Sequence, residues 1–566
     1  MDSALLTRRN VLTGAAAISV IAAGSAITQP KVHAYAVAAV PYAWDMEADI
    51  VVIGSGGAGM AAACKAREAG ASVLVLEKLG ATGGDTALSG QTSIGPWPAY
   101  EAELGVEDSI ELYLEEQANS YKWGAFAEKG REFPAEHPFT ELQSELYAEM
   151  MEWTRDTVGV GWTLGSAPTD PNTEGVLPQP TWNSVSTRSF MAMDPANSVM
   201  AAFNAYAKNI GVDIRMRTEA DRLITNEAGR VIGVWAYDEN DEAIAVKAAK
   251  AVIVATGGFS ANRGMMERYL PITKGILGGG SYGVTGDGIR MVRQVGGTIS
   301  EMDLGCHWYP FEAGTNSGQY STTLVLFGGY GGVVPISQQP GVMLNYEGKR
   351  FVSESNGYHL VGRATAQQPC QEAWCIFDSH PMVPMFMLQI IQYNNRVVQA
   401  DTLEELFKIT RLPADAAMAS IEEYNQYVAE GEDKAFGKLL DGCQPIDEGP
   451  FYALNIRPRP YATYGGVDCD LDCHAINAQK EAIPGLYVAG MVTGSFAARE
   501  GYFYNGGLAQ ALIFGMLAGQ KAVAEEAWSE AAPTGLESSE QFYAPTGVCS
   551  DCHGDGREPG PNYHNF

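Results

Sequence analysis

The fold of this chain is decided by the segment Ala48-Asp49-Ile50-Val51-Val52-Ile53-Gly54-Ser55-Gly56-Gly57-Ala58-Gly59. The β-prone apolar residues 50–53 predict a buried parallel strand, and residues 60–68 predict a helix that Gly70 closes. Gly54, Gly56 and Gly59 have the G-x-G-x-x-G spacing, which permits a tight turn, close approach of a pyrophosphate and close helix–strand packing. The segment therefore predicts a dinucleotide site at a helix N-terminus, with Gly57 and Ala58 in the same turn.

The residues after this turn support the same site. Residues 72–76 predict a second strand that ends at Glu77, where a carboxylate can accept hydrogen bonds from ribose hydroxyls. A strand over 251–254 and a strand over 485–490 follow much later, and residues 508–526 predict a helix. A hairpin is predicted around residues 226–230. The further cofactor-binding candidates lie in the loop after Glu77 and at the later elements: Lys78, Gly83, Gly84, Asp85, Thr86, Ser89, Gly90, Ala255, Thr256, Gly257, Gly490, Leu508 and Ala509.

Composition and charge exclude several classes of protein. The 566 residues are 46% hydrophobic and 18% charged, which indicates a folded chain of two or three domains. The net charge of −30 argues against nucleic acid as a partner, because phosphate binding needs basic surface. Binding to anionic lipid through a basic patch is excluded on the same ground.

The first 36 residues have the pattern of an export signal. Thr7-Arg8-Arg9-Asn10-Val11-Leu12 begins an apolar stretch that runs to Ile27, and small residues surround Ala34 and Ala36. Paired arginines before a weakly hydrophobic segment are typical of twin-arginine export, with an N-terminal membrane anchor as the alternative. We expect residues 1–36 to be removed, and the mature protein to lie in the periplasm or at the outer face of the cytoplasmic membrane.

Together these pieces resemble the flavoprotein subunit of the fumarate reductase and succinate dehydrogenase superfamily, which includes 3-ketosteroid dehydrogenases and urocanate reductase. The resemblance covers nearly all of residues 47–526 and implies FAD, which we expect to be bound non-covalently because residues 78–96 contain no histidine to attach it. It also implies an α/β fold, in which a Rossmann-like FAD-binding domain (37–268 and 445–530) carries an inserted α+β capping domain (269–444). Residues 531–566 form a polar tail. Because no second G-x-G-x-x-G follows a strand, a membrane-associated cytochrome or a quinol-linked donor is the expected electron source.

At the family's reaction site, this chain departs from the fumarate reductases. Tyr358 stands where R-F-x-N-E-x-x-x-R has its proton-donating arginine, and Tyr504 replaces the carboxylate-binding arginine of H-G-x-N-R-x-G-G-N. Ala462 replaces the carboxylate-binding histidine of H-T-M-G-G. The clamp for a dicarboxylate is therefore absent at every matched position, and fumarate is not the expected substrate.

The residues around this site are aromatic and neutral: Tyr358, Tyr464, Tyr502, Phe503 and Tyr504. This set resembles the ketosteroid dehydrogenase branch, where tyrosines transfer a proton and polarise a ketone. We expect reduction of an activated C=C in a bulky enone or unsaturated lactone, steroid-like or cardenolide-like, with Tyr358 and Tyr504 as catalytic residues. The alternatives are the reverse dehydrogenase direction, reduction of a small monocarboxylate held by Arg363 or Arg499, and an electron-transfer flavohaem protein.

The nine cysteines raise a separate question. Cys549-Ser550-Asp551-Cys552-His553 has the C-x-x-C-H pattern of covalent c-type haem attachment, with His553 as an iron ligand. A short disulfide, a zinc or Fe–S half-site, or a fragment of a C-x-x-C-x-G-x-G zinc repeat fits the same residues. Cys469 and Cys473 are candidate metal ligands as well, although a core or disulfide role is favoured for them.

Overall fold

The computed structural model describes residues 43–89, 92–103, 105–121, 124–164, 188–192, 194–312, 341–380, 397–440, 442–502 and 507–528. Its α-helices are α1 (Gly57–Glu68), α2 (Gly84–Leu88), α3 (Pro98–Glu103), α4 (Ile110–Asn119), α5 (Ala125–Glu128), α6 (Pro138–Trp153), α7 (Val199–Ile210), α8 (Arg263–Tyr269), α9 (Asp287–Gln294), α10 (Gly357–Ala366), α11 (Leu403–Thr410), α12 (Ala414–Glu430), α13 (Phe496–Arg499) and α14 (Gly507–Ala524). The expected leader, 1–36, and the expected tail, 531–566, lie outside the described residues and stay predictions.

The strands of the same part of the chain are β1 (Met46–Ile53), β2 (Val73–Glu77), β3 (Thr92–Ile94), β4 (Thr163–Leu164), β5 (Ser189–Met191), β6 (Asp213–Met216), β7 (Glu219–Thr225), β8 (Val231–Tyr237), β9 (Ala243–Val254), β10 (Ile299–Ser300), β11 (Cys306–Glu312), β12 (Val342–Asn345), β13 (Ala373–Phe377), β14 (Val397–Ala400), β15 (Phe451–Thr463), β16 (Gly466–Val467), β17 (His474–Ile476) and β18 (Ala482–Val488).

A sheet of eight strands carries the glycine turn. Strands β18, β9, β1, β2 and β6 are adjacent in this order and all parallel. Strand β17 pairs antiparallel with β18, and the β7–β8 hairpin joins through β9. Ile50, Val51 and Val52 in β1 are completely buried, as expected for a parallel strand that is covered on both faces. The predicted strands and the predicted hairpin around 226–230 are confirmed.

A second, antiparallel sheet has the order β11-β15-β13-β12, and β14 also pairs with β15. Helices α11 and α12 pack on it, with Leu406, Phe407 and Ile421 buried against its strands. The sequence assigns residues 445–530 to the FAD-binding domain, but β15 pairs, among the described strands, only with strands of the second sheet. The first sheet resumes at β17. The division into domains stays a prediction, and this pairing favours a boundary after Thr463.

Helix α14 lies against α1 through two glycines. A Cβ atom on Gly515 would lie 2.3 Å from the carbonyl oxygen of Ala58, and one on Gly519 would lie 2.4 Å from that of Ala62. This close packing shows that α14 belongs to the core, and its place in the core explains its apolar composition. Of the described helices it alone has the length and composition to cross a membrane, but 67% of it is buried within the protein, and such a match is weak evidence for a membrane span.

Candidate active site

The predicted glycine turn joins β1 to α1. Gly54 has a φ of +99°, and a Cβ atom there would lie 2.6 Å from the carbonyl oxygen of Ala255. Only glycine fits this position, because β1 and β9 must run side by side. Gly56 is the N-cap of α1 and, being glycine, has no side chain that could accept the N–H groups of the first turn. The first turn of such a helix presents N–H groups and the positive end of its dipole, which favour a phosphate.

Glu77 is held firmly at the end of β2. Only 7% of the surface of Glu77 is exposed to solvent. Atom Oε2 accepts the backbone N–H of Ser55 at 3.0 Å and the hydroxyl of the same residue at 2.6 Å, and Oε1 accepts the N–H of Leu79 at 2.7 Å. Three donors to one carboxylate stabilise its ionised form. Oε1 keeps a lone pair for a ribose hydroxyl, as the sequence predicts.

The glycine-rich loop after Glu77 folds back onto the turn. Gly83 has a φ of +119° and forms a parallel bridge with Gly56. The hydroxyl oxygen of Thr86 accepts the backbone N–H of Gly57 at 3.0 Å. These contacts bring the first turns of α2 and α1 together. Gly90, which the sequence assigns to the same loop, lies outside the described residues.

A cleft of about 1070 Å³, including the space at its open mouth, runs along these segments. Gly490 lies behind it: with a φ of +75°, this residue packs so closely that a Cβ atom would lie 2.7 Å from the Cβ of Ala58. Gly59, Gly83 and Ala509 likewise do not line the cleft. The predicted residues that do line it are Gly54, Gly56, Gly57, Ala58, Glu77, Lys78, Gly84, Asp85, Thr86, Ser89, Ala255, Thr256, Gly257 and Leu508.

Apart from Ala462, the opposite wall of the cleft was not predicted from the sequence. It includes Ser281, Asp287, Tyr461, Ala462 and Met491. The run of glycines over 275–288, with glycine at 275, 278, 279, 280, 283, 286 and 288, was an available signal. Ala462 was placed at the reaction site by its match to the H-T-M-G-G element, but its neighbour Tyr461 was not predicted, because the position of the end of β15 depends on the pairing of the second sheet.

Charged side chains of the cleft are partly neutralised. The ammonium group of Lys78 contacts the carboxylate of Asp287 at 2.5 Å and the hydroxyl of Thr285 at 2.6 Å. Asp85 accepts the N–H of Ser281 at 2.6 Å, and burial raises the pKa of this carboxyl group to about 6. Lys78 is therefore not a free cation, since its charge is shared with an acid of the opposite wall.

These observations fit FAD. The N-terminus of α1 suits a diphosphate, the oriented carboxylate of Glu77 suits a ribose, and Leu508 brings the start of α14 to the cleft. In such an arrangement the N-terminus of α14 stabilises negative charge on the ligand through the helix dipole.

Of the two predicted catalytic tyrosines, only Tyr358 belongs to the described residues. Tyr358 belongs to the first turn of α10. Phe503 and Tyr504 lie outside the described residues. Ala462, which replaces the carboxylate-binding histidine, lines the cleft. One of the positions where the charged clamp is missing therefore lies at the cofactor site. These roles stay predictions.

The other aromatic candidates pack into the core. Tyr464 is 3% exposed and clusters with Ala125, Leu304 and Ala498. The ring of Tyr502 lies 5.3 Å from that of Phe133 and 4.8 Å from that of His137, between centroids. Burial, and secondarily the nearby Glu500, raise the pKa of Tyr502 to about 12. The phenol of Tyr502 is therefore held in the neutral form.

His359 of α10 and His307 of β11 form a histidine pair that the sequence analysis did not identify. The ring of His359 stacks on that of His307 at 4.7 Å between centroids. Nδ1 of His359 accepts the N–H of Trp308 at 3.1 Å, so the neutral ring carries its proton on Nε2. Burial, together with His359, lowers the pKa of His307 well below its ordinary value.

Both arginines that were candidates for a monocarboxylate clamp are paired with acids. Arg363 contacts the carboxylate of Glu128 at 2.5 Å. Arg499 contacts Asp468 at 2.7 Å and donates to the carbonyl oxygen of Thr493 at 2.6 Å. Neither guanidinium is left uncompensated for a substrate carboxylate.

The haem candidates Cys549, Cys552 and His553 lie outside the described residues, and that hypothesis stays a prediction. The seven cysteines within the described ranges are all free. Burial raises the pKa of the Cys469 thiol to about 12 and that of the Cys473 thiol well above its ordinary value. Both side chains are buried, and the Cys473 thiol donates to the carbonyl oxygen of Phe514 at 3.6 Å, which favours the core role for these two residues.

Comparison with known proteins agrees with the geometry. The model of the family described as the FAD binding domain matches residues 49–501. The chain is 27% identical to a probable fumarate reductase of Shewanella frigidimarina (strain NCIMB 400), over 84% of this chain and 74% of the relative. It is also 27% identical to the 3-oxosteroid 1-dehydrogenase of Mycolicibacterium smegmatis (strain ATCC 700084 / mc(2)155), over 84% and 97% of the two chains.

A solved structure has the same fold. The 3-ketosteroid-Δ4-(5α)-dehydrogenase from Rhodococcus jostii RHA1 superposes with a TM-score of 0.64 at 26% identity, over 86% of this chain and 98% of that one. The predicted fold class and the predicted cofactor are thereby confirmed. The chain belongs to the FAD binding domain family, and it is an FAD-dependent oxidoreductase that acts on carbon–carbon bonds of unsaturated substrates.

Proposed function

We propose that this protein is an exported reductase of an activated C=C in a bulky, uncharged enone or unsaturated lactone, such as a steroid-like or cardenolide-like compound. The observation that carries the proposal is the loss of positive charge at the reaction site. Ala462 stands at the cleft in place of a histidine, and Arg363 and Arg499 are both neutralised by acids. A carboxylate substrate would meet no free cation among these residues, whereas a neutral carbonyl compound needs none.

The reaction divides between the cofactor and the chain. FAD, when bound, supplies a hydride to the β-carbon of the substrate. Tyr358 protonates the α-carbon, and Tyr504 donates a hydrogen bond to the carbonyl oxygen as enolate charge develops there. A neutral phenol suits both tasks, because it donates a proton or a hydrogen bond without attracting a carboxylate.

A dehydrogenase, which runs the same chemistry in the reverse direction, is a second candidate function. The same residues can withdraw a proton and orient a ketone, and the similarity to the 3-oxosteroid 1-dehydrogenase favours that activity as the alternative. Reduction of a small monocarboxylate finds less support, since it needs one of the two arginines to leave its acid. An electron-transfer flavohaem protein would require haem at residues 549–553.

We propose that the electron donor is a membrane-associated cytochrome or a quinol-linked protein of an anaerobic respiratory chain. This donor reduces the exported enzyme on the outer side of the cytoplasmic membrane. Twin-arginine export carries folded proteins, which suits an enzyme that acquires FAD before export. The paired arginines Arg8 and Arg9 support this route.

Anaerobic reoxidation of the reduced enzyme tests the proposal. The dithionite-reduced protein is mixed with cyclic enones, unsaturated lactones, acrylates, urocanate and fumarate, and flavin absorbance is followed. We expect fast reoxidation by the first two classes alone. Fast reoxidation by fumarate or acrylate, with none by enones or lactones, would contradict the proposal. Reduction of the oxidised enzyme by a saturated 3-ketosteroid would establish the dehydrogenase direction instead.

A further inference from the structure

The FAD cleft contains more acid than base. Its lining includes three carboxyl groups, Glu77, Asp85 and Asp287, and one ammonium group, Lys78. FAD brings a diphosphate that is itself anionic at neutral pH. If all three acids were ionised, like charges would face each other in a partly desolvated cleft, which is strongly unfavourable. The repulsion between like charges is therefore smaller if one of the three carboxyl groups is protonated, and so neutral, when FAD is bound.

Contacts within the cleft indicate which acid this is. Glu77 accepts three hydrogen bonds, all of which favour its ionised form. Asp287 pairs with Lys78 at 2.5 Å and accepts the hydroxyl of Thr285 at 2.8 Å. Asp85 accepts one described hydrogen bond, from the N–H of Ser281, and none of its described contacts is a cation.

Among the residues that the structure describes, no cation of the neighbouring elements contacts the carboxylate of Asp85. Tyr461 in β15 donates its hydroxyl hydrogen to the backbone carbonyl of Asp85, so this proton does not reach the carboxylate. Arg459 in the same strand donates to the carbonyl oxygen of Gly278. A Cβ atom on Gly280 would lie 2.5 Å from Oδ1 of Asp85, so the 278–283 loop lies directly over the carboxylate.

We propose that Asp85 is the proton-binding residue of the FAD site, so that the carboxyl group takes up one proton from solvent when FAD binds and holds the cofactor as the neutral acid. No electrons move in this step, and the O–H that forms is a hydrogen-bond donor for the anionic ligand. Burial already raises the pKa of Asp85 to about 6 before any cofactor charge is added.

The direction of the pH effect follows from linkage. The negative charge of FAD raises the pKa of Asp85 further, so the bound form holds a proton that the free form loses above pH ~6. Between the two pKa values, the dissociation constant for FAD increases by about tenfold per pH unit. FAD affinity is therefore highest at acidic pH and falls as the pH increases.

Titration of the apoprotein with FAD tests the proposal without any turnover. Flavin fluorescence quenching gives the dissociation constant from pH 5.5 to 8.5, and an indicator dye in weak buffer gives the protons taken up at pH 7. For the wild type we expect a dissociation constant at least about tenfold larger at pH 8 than at pH 6, together with proton uptake. Asp85→Asn should abolish both effects and bind FAD more tightly than the wild type at pH 8.

Asp287→Asn is the matched control, because it removes a carboxylate from the same cleft, and it should keep the pH dependence. Asp85→Ser, which also lacks a titrating group, replaces Asp85→Asn if that variant does not fold. Absence of proton uptake in the wild type would overturn the proposal. Uptake that persists in the variants at position 85 would overturn it equally.

Discussion

A Cβ atom on Gly59 would lie 1.9 Å from the carbonyl oxygen of Gly54. The obstacle is backbone, so neither partner can move aside without separating α1 from β1. This separation would also displace the N-terminus of α1 from the cleft that holds the FAD diphosphate.

Gly59→Ala should therefore reduce both stability and FAD content. Overpacking of this kind costs roughly 1–3 kcal/mol, occasionally more. We expect a lower thermal unfolding temperature and purified protein that is largely free of FAD, as measured by calorimetry and by absorbance. Gly264→Ala is the control, because a Cβ atom at this position in α8 would lie an ordinary 3.5 Å from the side-chain oxygen of Asn262. Normal FAD content in Gly59→Ala would show that α1 can shift freely.

Tyr358→Phe and Tyr504→Phe should each slow reoxidation of the reduced flavin by substrate at least about 100-fold. Each change removes only a hydroxyl group, so FAD content and flavin reduction by an artificial donor should match the wild type. Stopped-flow absorbance separates the two half-reactions. Tyr464→Phe serves as the comparison, because Tyr464 packs in a small core cluster. Wild-type reoxidation in Tyr358→Phe would assign proton donation to another residue.

FAD should leave the protein completely on acid precipitation. Respiratory fumarate reductases attach FAD through a histidine in the loop after the ribose-binding acid, whereas residues 78–96 here contain no histidine. We expect all of the yellow colour in the supernatant, measured by its absorbance. Flavin that remains in the washed pellet would show a covalent bond.

NADH should reduce the purified enzyme slowly or not at all, and a reduced viologen dye should reduce it rapidly. The reason is that a single G-x-G-x-x-G follows a strand in this chain, and FAD occupies that site. Anaerobic spectra after each addition provide the measurement. Rapid and saturable reduction by NADH would contradict the proposal of a separate protein donor.

Local sequence was sufficient to predict the half of the cleft that α1 and β2 form. Gly54, Gly56 and Glu77 lie within one β-α-β unit, and steric limits on the turn leave little choice of residue or conformation. The ends of both elements agree with the prediction, since α1 ends at Glu68 and β2 ends at Glu77, but the helix begins at Gly57, before the predicted start at residue 60. The cofactor followed from these residues together with the loop over 78–90.

The sequence by itself determined the nucleotide-binding unit, because this unit depends on residue identity at short spacing, and its resemblance over residues 47–526 indicated the cofactor. Only the tertiary structure decided what faces that unit. Tyr461 reaches the cleft through the pairing of β15 in the second sheet, and Asp287 reaches Lys78 across 209 residues of chain. The neutralisation of Arg363 by Glu128 was equally invisible, since charge balance depends on which distant side chains the fold brings within about 4 Å.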